Sequence, residues 1–131
     1  MNFNTLKKAA EFRVIENKDN YWIEDYRDAA ITIFSKDIGK TIYFFQNECT
    51  DEELYYLAEI FEELAEETQS RELIDVLRAR LAMVTPETYH QQSLACKHMR
   101  KYVDYAEFVR SVGEEIDFAE GKLDIPSESH P

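Results

Sequence analysis

The spacing of apolar positions divides this chain into three stretches. Asn4 can cap a first helix, in which Leu6, Ala9, Ala10 and Phe12 or Arg13 recur at helical spacing until the polar run Asn17 to Asn20 interrupts it. From Tyr21 to Gln46 the residues become β-branched and aromatic. Ala30-Ile31-Thr32-Ile33-Phe34 and Thr41-Ile42-Tyr43-Phe44-Phe45 flank Ser35 to Lys40, which contains Asp37 and Gly39. This composition predicts a β-hairpin with a loop longer than the tight two-residue type, and Tyr21-Trp22-Ile23 is a candidate third strand.

After the hairpin the pattern turns helical. Thr50 followed by Glu53 has the form of a capping box, and Leu54, Leu57, Ala58, Phe61, Leu64 and Ala65 make one apolar stripe, predicting a helix over Asp51 to Glu67. Ser70 caps a second helix that buries Leu73, Ile74, Leu77, Leu81 and Val84. Thr85-Pro86 stops it and opens a third, running toward Tyr102 and burying Tyr89, Leu94 or Ala95, Met99 and Tyr102 or Val103. Asp104 with Glu107 caps a last stripe of Tyr105, Phe108, Val109, Val112, Ile116 and Ala119, which ends at Gly121. Gly113, inside that stripe, costs about 1 kcal/mol against alanine. The expected fold class is therefore α+β: an N-terminal helix and a small antiparallel hairpin or three-stranded sheet, followed by about four helices. Residues 1–124 read as one acidic domain, and 125–131 (IPSESHP) as a frayed tail.

Composition sharpens this picture. With 44% hydrophobic and 13% aromatic residues the chain has the means to build a core. A net charge of −12 disfavours nucleic acid and anionic membrane as partners, because both are bound through clustered Lys and Arg, and it favours a cationic partner. No apolar run reaches bilayer length and no secretory leader is evident, so the expected location is cytoplasmic, with Cys49 and Cys96 reduced. The charge is also unevenly placed. Glu48 to Glu67 holds nine acidic residues and no Lys or Arg, whereas Arg71 to Arg110 holds seven basic and five acidic residues. On the helix from Asp51 to Glu67, the side away from the apolar stripe carries Glu52, Tyr55, Tyr56, Glu59, Glu62, Glu63 and Glu66. Like charges one turn apart repel by a few tenths of a kcal/mol per pair, which a cationic partner would relieve, and tyrosines among carboxylates suit a basic protein surface. Glu52, Tyr55, Tyr56, Glu59, Glu63 and Glu66 are the candidate partner-binding residues. Glu114, Glu115, Asp117 and Glu120 extend the patch if the last helix packs beside the first long one.

Catalytic chemistry finds little support. His90, Cys96 and His98 are close in sequence, but on a helix Cys96 and His98 point about 200° apart and cannot share a metal on one face. No third group orients a Cys–His pair, and three glycines (Gly39, Gly113 and Gly121) allow no phosphate-binding loop. The expectation is a non-enzyme without metal or cofactor. Arg78, Arg80, Lys97, Arg100 and Lys101 form the one basic concentration, and salt bridging to the acidic helices accounts for it.

The stretches Thr50-Asp51-Glu52-Glu53-Leu54-Tyr55-Tyr56-Leu57, Thr85-Pro86-Glu87-Thr88-Tyr89-His90 and His98-Met99-Arg100-Lys101-Tyr102-Val103-Asp104-Tyr105 resemble bacterial toxin-immunity proteins of the contact-dependent growth inhibition type. The resemblance implies a protein that binds and blocks a cognate basic toxin domain, commonly a nuclease, with acidic groups standing in for phosphate. The competing expectation is a small regulatory or adaptor domain that holds its partner in an apolar groove and uses its charge for solubility.

Overall fold

The computed structural model describes residues 1–15, 23–95 and 100–124. It is built mainly from helices: α1 (Leu6–Ile15), α2 (Ile23–Lys36), α3 (Ile38–Asn47), α4 (Asp51–Leu57), α5 (Phe61–Thr68), α6 (Arg71–Ala82) and α7 (Tyr105–Glu120). A 3₁₀ turn over Ala58–Ile60 joins α4 to α5. The α+β expectation is thereby overturned, because both arms of the expected hairpin are helical.

The physical reason lies in which residues are buried. Tyr26, Ala30 and Phe34 are buried at four-residue intervals along α2, and Thr41, Ile42, Phe44 and Phe45 are buried along α3. These are helical intervals, so a core on one side outweighs the strand preference of Ile and Thr residues. The hydroxyls of Thr32 and Ser35 donate to the carbonyls of Asp28 and Ile31, the back-bonding that lets such residues sit inside a helix. Asp37 is not the tip of a hairpin but the N-cap of α3, where its carboxylate accepts from the Lys40 amide at 3.3 Å. Thr41, fully buried, donates its hydroxyl to the Phe34 carbonyl and so satisfies the end of α2. Of the candidate third strand, Tyr21 and Trp22 lie outside the described residues and Ile23 opens α2.

The expected helix from Pro86 to Tyr102 is also absent. Thr85 and Thr88 bond each other through side chain and backbone, which closes a single turn at Pro86–Thr88 and does not propagate. Two four-residue strands follow, β1 (Gln92–Ala95) and β2 (Arg100–Val103), paired antiparallel with Gln92 opposite Val103. Among the described residues this ribbon is the only strand pairing. Tyr89 anchors its base: the ring lies 5.1 Å from Phe108 and the hydroxyl donates to the Val103 carbonyl.

The caps and stripes of α4 to α7 match the sequence pattern more closely. Thr50 and Glu53 form the reciprocal capping box, Ser70 accepts from the Leu73 amide and Asp104 from the Glu107 amide. Leu73, Ile74 and Leu77 of α6 and Phe108, Val112, Ile116 and Ala119 of α7 are buried. The first helix starts on a different cap: Thr5, not Asn4, receives the Lys8 amide at 3.1 Å. α7 packs against α5 and α6, α1 against α4, and α2 against α5. At the centre, Phe45 lies 5.2 to 5.9 Å from Phe44, Phe34 and Phe61, mostly edge to face.

Candidate protein-interaction surface

The six candidate partner-binding residues fall into two groups. Glu59, on the 3₁₀ turn, receives a two-pronged contact from Arg13 of α1 at 2.9 and 3.0 Å. The same guanidinium sits 4.9 Å from the centre of the Tyr56 ring, which is buried. Glu63 is paired with Arg27 of α2 at 2.5 Å. Tyr55 is half-buried and stacks on Phe108 at 5.7 Å, and burial, followed by Glu107, raises its hydroxyl pKa. Glu59, Glu63, Tyr55 and Tyr56 thus engage other parts of the same chain. Glu52 is half-buried and Glu66 exposed, and neither has an ion-pair partner among the described residues.

The one-signed run from Glu48 to Glu67 is therefore met in part from within the chain. Lys7 of α1 binds Glu53 at 2.9 Å and the Glu48 carbonyl at 2.8 Å, so three cations from the N-terminal helices lie along the seam with α4 and α5. Sequence spacing alone could not show this, because these contacts join residues 36 to 46 positions apart.

Carboxylates remain crowded where α2, α5 and α7 meet. Asp28 of α2 and Glu63, Glu66 and Glu67 of α5 share a shallow hollow of about 450 Å³ with Thr32 and Ser35. Glu115 of α7 is half-buried, and its carboxyl pKa is raised by burial first and then by Glu62, Glu63 and Glu114, with Arg27 opposing. Lys122 reaches Glu62 only at 3.9 Å, and Arg110 takes up Glu114 at 2.6 Å. The adjacency of α7 to the acidic helix thus brings Glu114 and Glu115 to this surface. Asp117 and Glu120 turn instead toward α6, where Arg78 and Arg71 bind them at 2.6 to 3.0 Å and hold the Glu120 carboxyl below its ordinary value.

Of the basic concentration, Arg78 and Arg80 are also met from within the chain. Arg80 is buried and donates to the Cys49 carbonyl at 2.9 Å and to the Asp51 carboxylate at 2.6 Å, tying the end of α3 and the start of α4 to α6. Lys97, together with Cys96 and His98, lies outside the described residues. Cys49 is buried, its thiol contacts the Thr50 carbonyl, and desolvation pushes its pKa up to about 12, so it carries no thiolate near neutrality. Among the described residues no group of three or more His, Cys, Asp or Glu side chains is arranged to hold a metal ion, and no helix is long and apolar enough to cross a membrane. No family model, curated protein or solved structure matches this chain.

Proposed function

We propose that the protein is a stoichiometric inhibitor of the immunity type, which binds a basic toxin domain, a nuclease in the simplest case, through the carboxylates around α5. The observation that carries this reading is the crowding of Asp28, Glu62, Glu66, Glu67 and Glu115 beside Glu63, with Arg27 and Lys122 as the cations paired to them among the described residues. Like charges held this close raise each other's energy, and an incoming Lys or Arg lowers it. Glu66 and Glu67 are exposed and without an ion-pair partner among the described residues, so they are the favoured contacts. Of the six residues singled out from the sequence, Glu66 and Glu52 keep carboxylates for a partner. Glu59 and Glu63 contribute field while holding α1 and α2 in place.

Co-expression with the polypeptide encoded beside this chain's gene tests the reading. An inhibitor restores growth to cells producing that polypeptide and co-purifies with it at equal stoichiometry in low salt, and Glu66→Lys/Glu67→Lys weakens both effects. Failure to form a complex at low salt would sink the proposal. The adaptor reading is favoured by a separate observation, an open cleft beside α3, and concerns a different surface.

A further inference from the structure

A cavity of about 850 Å³ lies where the start of α1, the end of α2 and the first turns of α3 come together. Its volume falls in the range of ligand-binding clefts. Phe3, Leu6, Ile33 and Tyr43 give it an apolar lining, and Tyr43 remains 58% exposed.

Its charge is the reverse of the chain's. Lys36 and Lys40 line the cleft, are exposed, and have no acidic partner among the described residues, although the protein carries 27 acids against 15 basic residues. With acids so abundant, two lysines of one cavity left without an acidic partner are available to a ligand's anion. The other charged groups there are mostly committed. Lys7 is bound to Glu53 and to the Glu48 carbonyl, and Asp37 caps α3, which leaves the Glu48 carboxylate at the Lys7 end. Gly39, in the first turn of α3, also lines the cleft. A methyl group there would meet Asp37 Oδ1 at 3.5 Å, an ordinary contact, so packing does not demand glycine at this position. Its absent side chain leaves the start of α3 open to the cleft.

We propose that this cleft is a docking site for an acidic peptide segment of a partner protein, with an Asp or Glu carboxylate between Lys36 and Lys40 and a neighbouring aliphatic or aromatic side chain against Ile33 and Tyr43. The site is distinct from the carboxylates around α5. Lys36 and Asp28 lie eight residues apart on α2, about 12 Å along the helix. The cleft and the hollow have no lining residue in common, and nothing in the cleft assignment depends on the toxin reading.

The test is selection of random twelve-residue peptides displayed on phage against the full chain, followed by fluorescence anisotropy with one enriched peptide. Enrichment of peptides carrying Asp or Glu within a few positions of a large apolar residue is expected. Lys36→Glu/Lys40→Glu weakens their binding at least tenfold, Lys36→Gln/Lys40→Gln weakens it less, and Glu66→Lys/Glu67→Lys leaves it within about twofold. Both lysines are exposed, so the helical circular dichroism of these variants stays unchanged. No enrichment over the bare support overturns the site, as do acidic peptides indifferent to the lysine changes. Basic peptides sensitive only to Glu66 and Glu67 overturn it too, while leaving the inhibitor reading standing.

Discussion

Reversing Glu59 and Glu63 to lysine is the obvious way to probe an acidic interface, and here it should damage the fold before it reports on any partner. The side chains of Arg13 and Glu59 are 13% and 26% exposed, and the pair is two-pronged, so it lies between the surface and buried limits. Exposed pairs contribute about 0 to 1 kcal/mol, and breaking a buried one costs about 3 to 5 kcal/mol. Glu59→Lys also places a second cation against Arg13, next to the Tyr56 ring, which puts its cost at roughly 2 to 3 kcal/mol on the same scales. Glu63→Lys, in a pair about one third exposed, adds at most about 1 kcal/mol after solvent screening. The double variant should lose roughly 2 to 4 kcal/mol in urea unfolding, a large share of the stability of a domain of this size. Glu66→Lys/Glu67→Lys, which breaks no ion pair among the described residues, should stay within about 0.5 kcal/mol of wild type. A double-mutant cycle on Arg13→Met and Glu59→Gln isolates the pair and should give a coupling of about 1 to 2 kcal/mol. Unfolding midpoints for Glu59→Lys/Glu63→Lys that coincide with wild type, or zero coupling in the cycle, would refute the claim that these carboxylates serve the fold.

The remaining expectations concern the core and its buried ionisable groups. Phe45→Ala, at the centre of the aromatic cluster, should cost about 3 to 5 kcal/mol by chemical denaturation. Arg80→Ala leaves the Asp51 carboxylate and the Cys49 carbonyl without their buried donor and should cost about 2 to 4 kcal/mol; a loss under 0.5 kcal/mol would mean that water replaces the guanidinium. Cys49 has its thiol pKa raised from 9.0 to about 12 on folding, so the unfolded state binds fewer protons between those values. Stability is fully present below pH 9 and falls as pH rises toward 12, by up to about 1.4 kcal/mol per pH unit, and Cys49→Ala removes that part of the alkaline slope. Tyr26, whose hydroxyl pKa burial also raises, keeps its own share of the slope in that variant.

What the sequence made legible was local chemistry, and what it hid was the competition between local chemistry and the core. The capping box at Thr50 and Glu53 and the caps at Ser70 and Asp104 involve neighbours three residues apart, so spacing alone identifies them. The stripes of α6 and α7 were readable for the same reason, since each repeats over three turns or more. The region from Ala30 to Phe45 was misleading because Ile, Thr, Tyr and Phe favour strands, while the four-residue interval linking Tyr26, Ala30 and Phe34 carried the helical signal. From Pro86 onward, Thr85-Pro86 reads as a helix start, yet the mutual bonds of Thr85 and Thr88 are satisfied within one turn. The candidate interface was legible as charge and hidden as geometry. Arg13, Arg27 and Lys7 lie far away in sequence, and only the packing of α1 against α4 and α2 against α5 shows which carboxylates they neutralise. The possible contribution of Glu114 and Glu115 was tied to an adjacency that the packing of α7 on α5 supplies, whereas Asp28 carried no sequence signal at all.

The most direct test of the account is the association rate of the purified chain with the basic domain proposed as its partner, measured by stopped flow from about 20 to 300 mM salt, for wild type and Glu66→Lys/Glu67→Lys. Steering by the carboxylates around α5 gives a wild-type rate that falls at least tenfold across that range, and a variant that is slower at low salt and less sensitive to salt throughout. A rate indifferent to salt, or a variant indistinguishable from wild type, would contradict the assignment of this surface to a cationic partner.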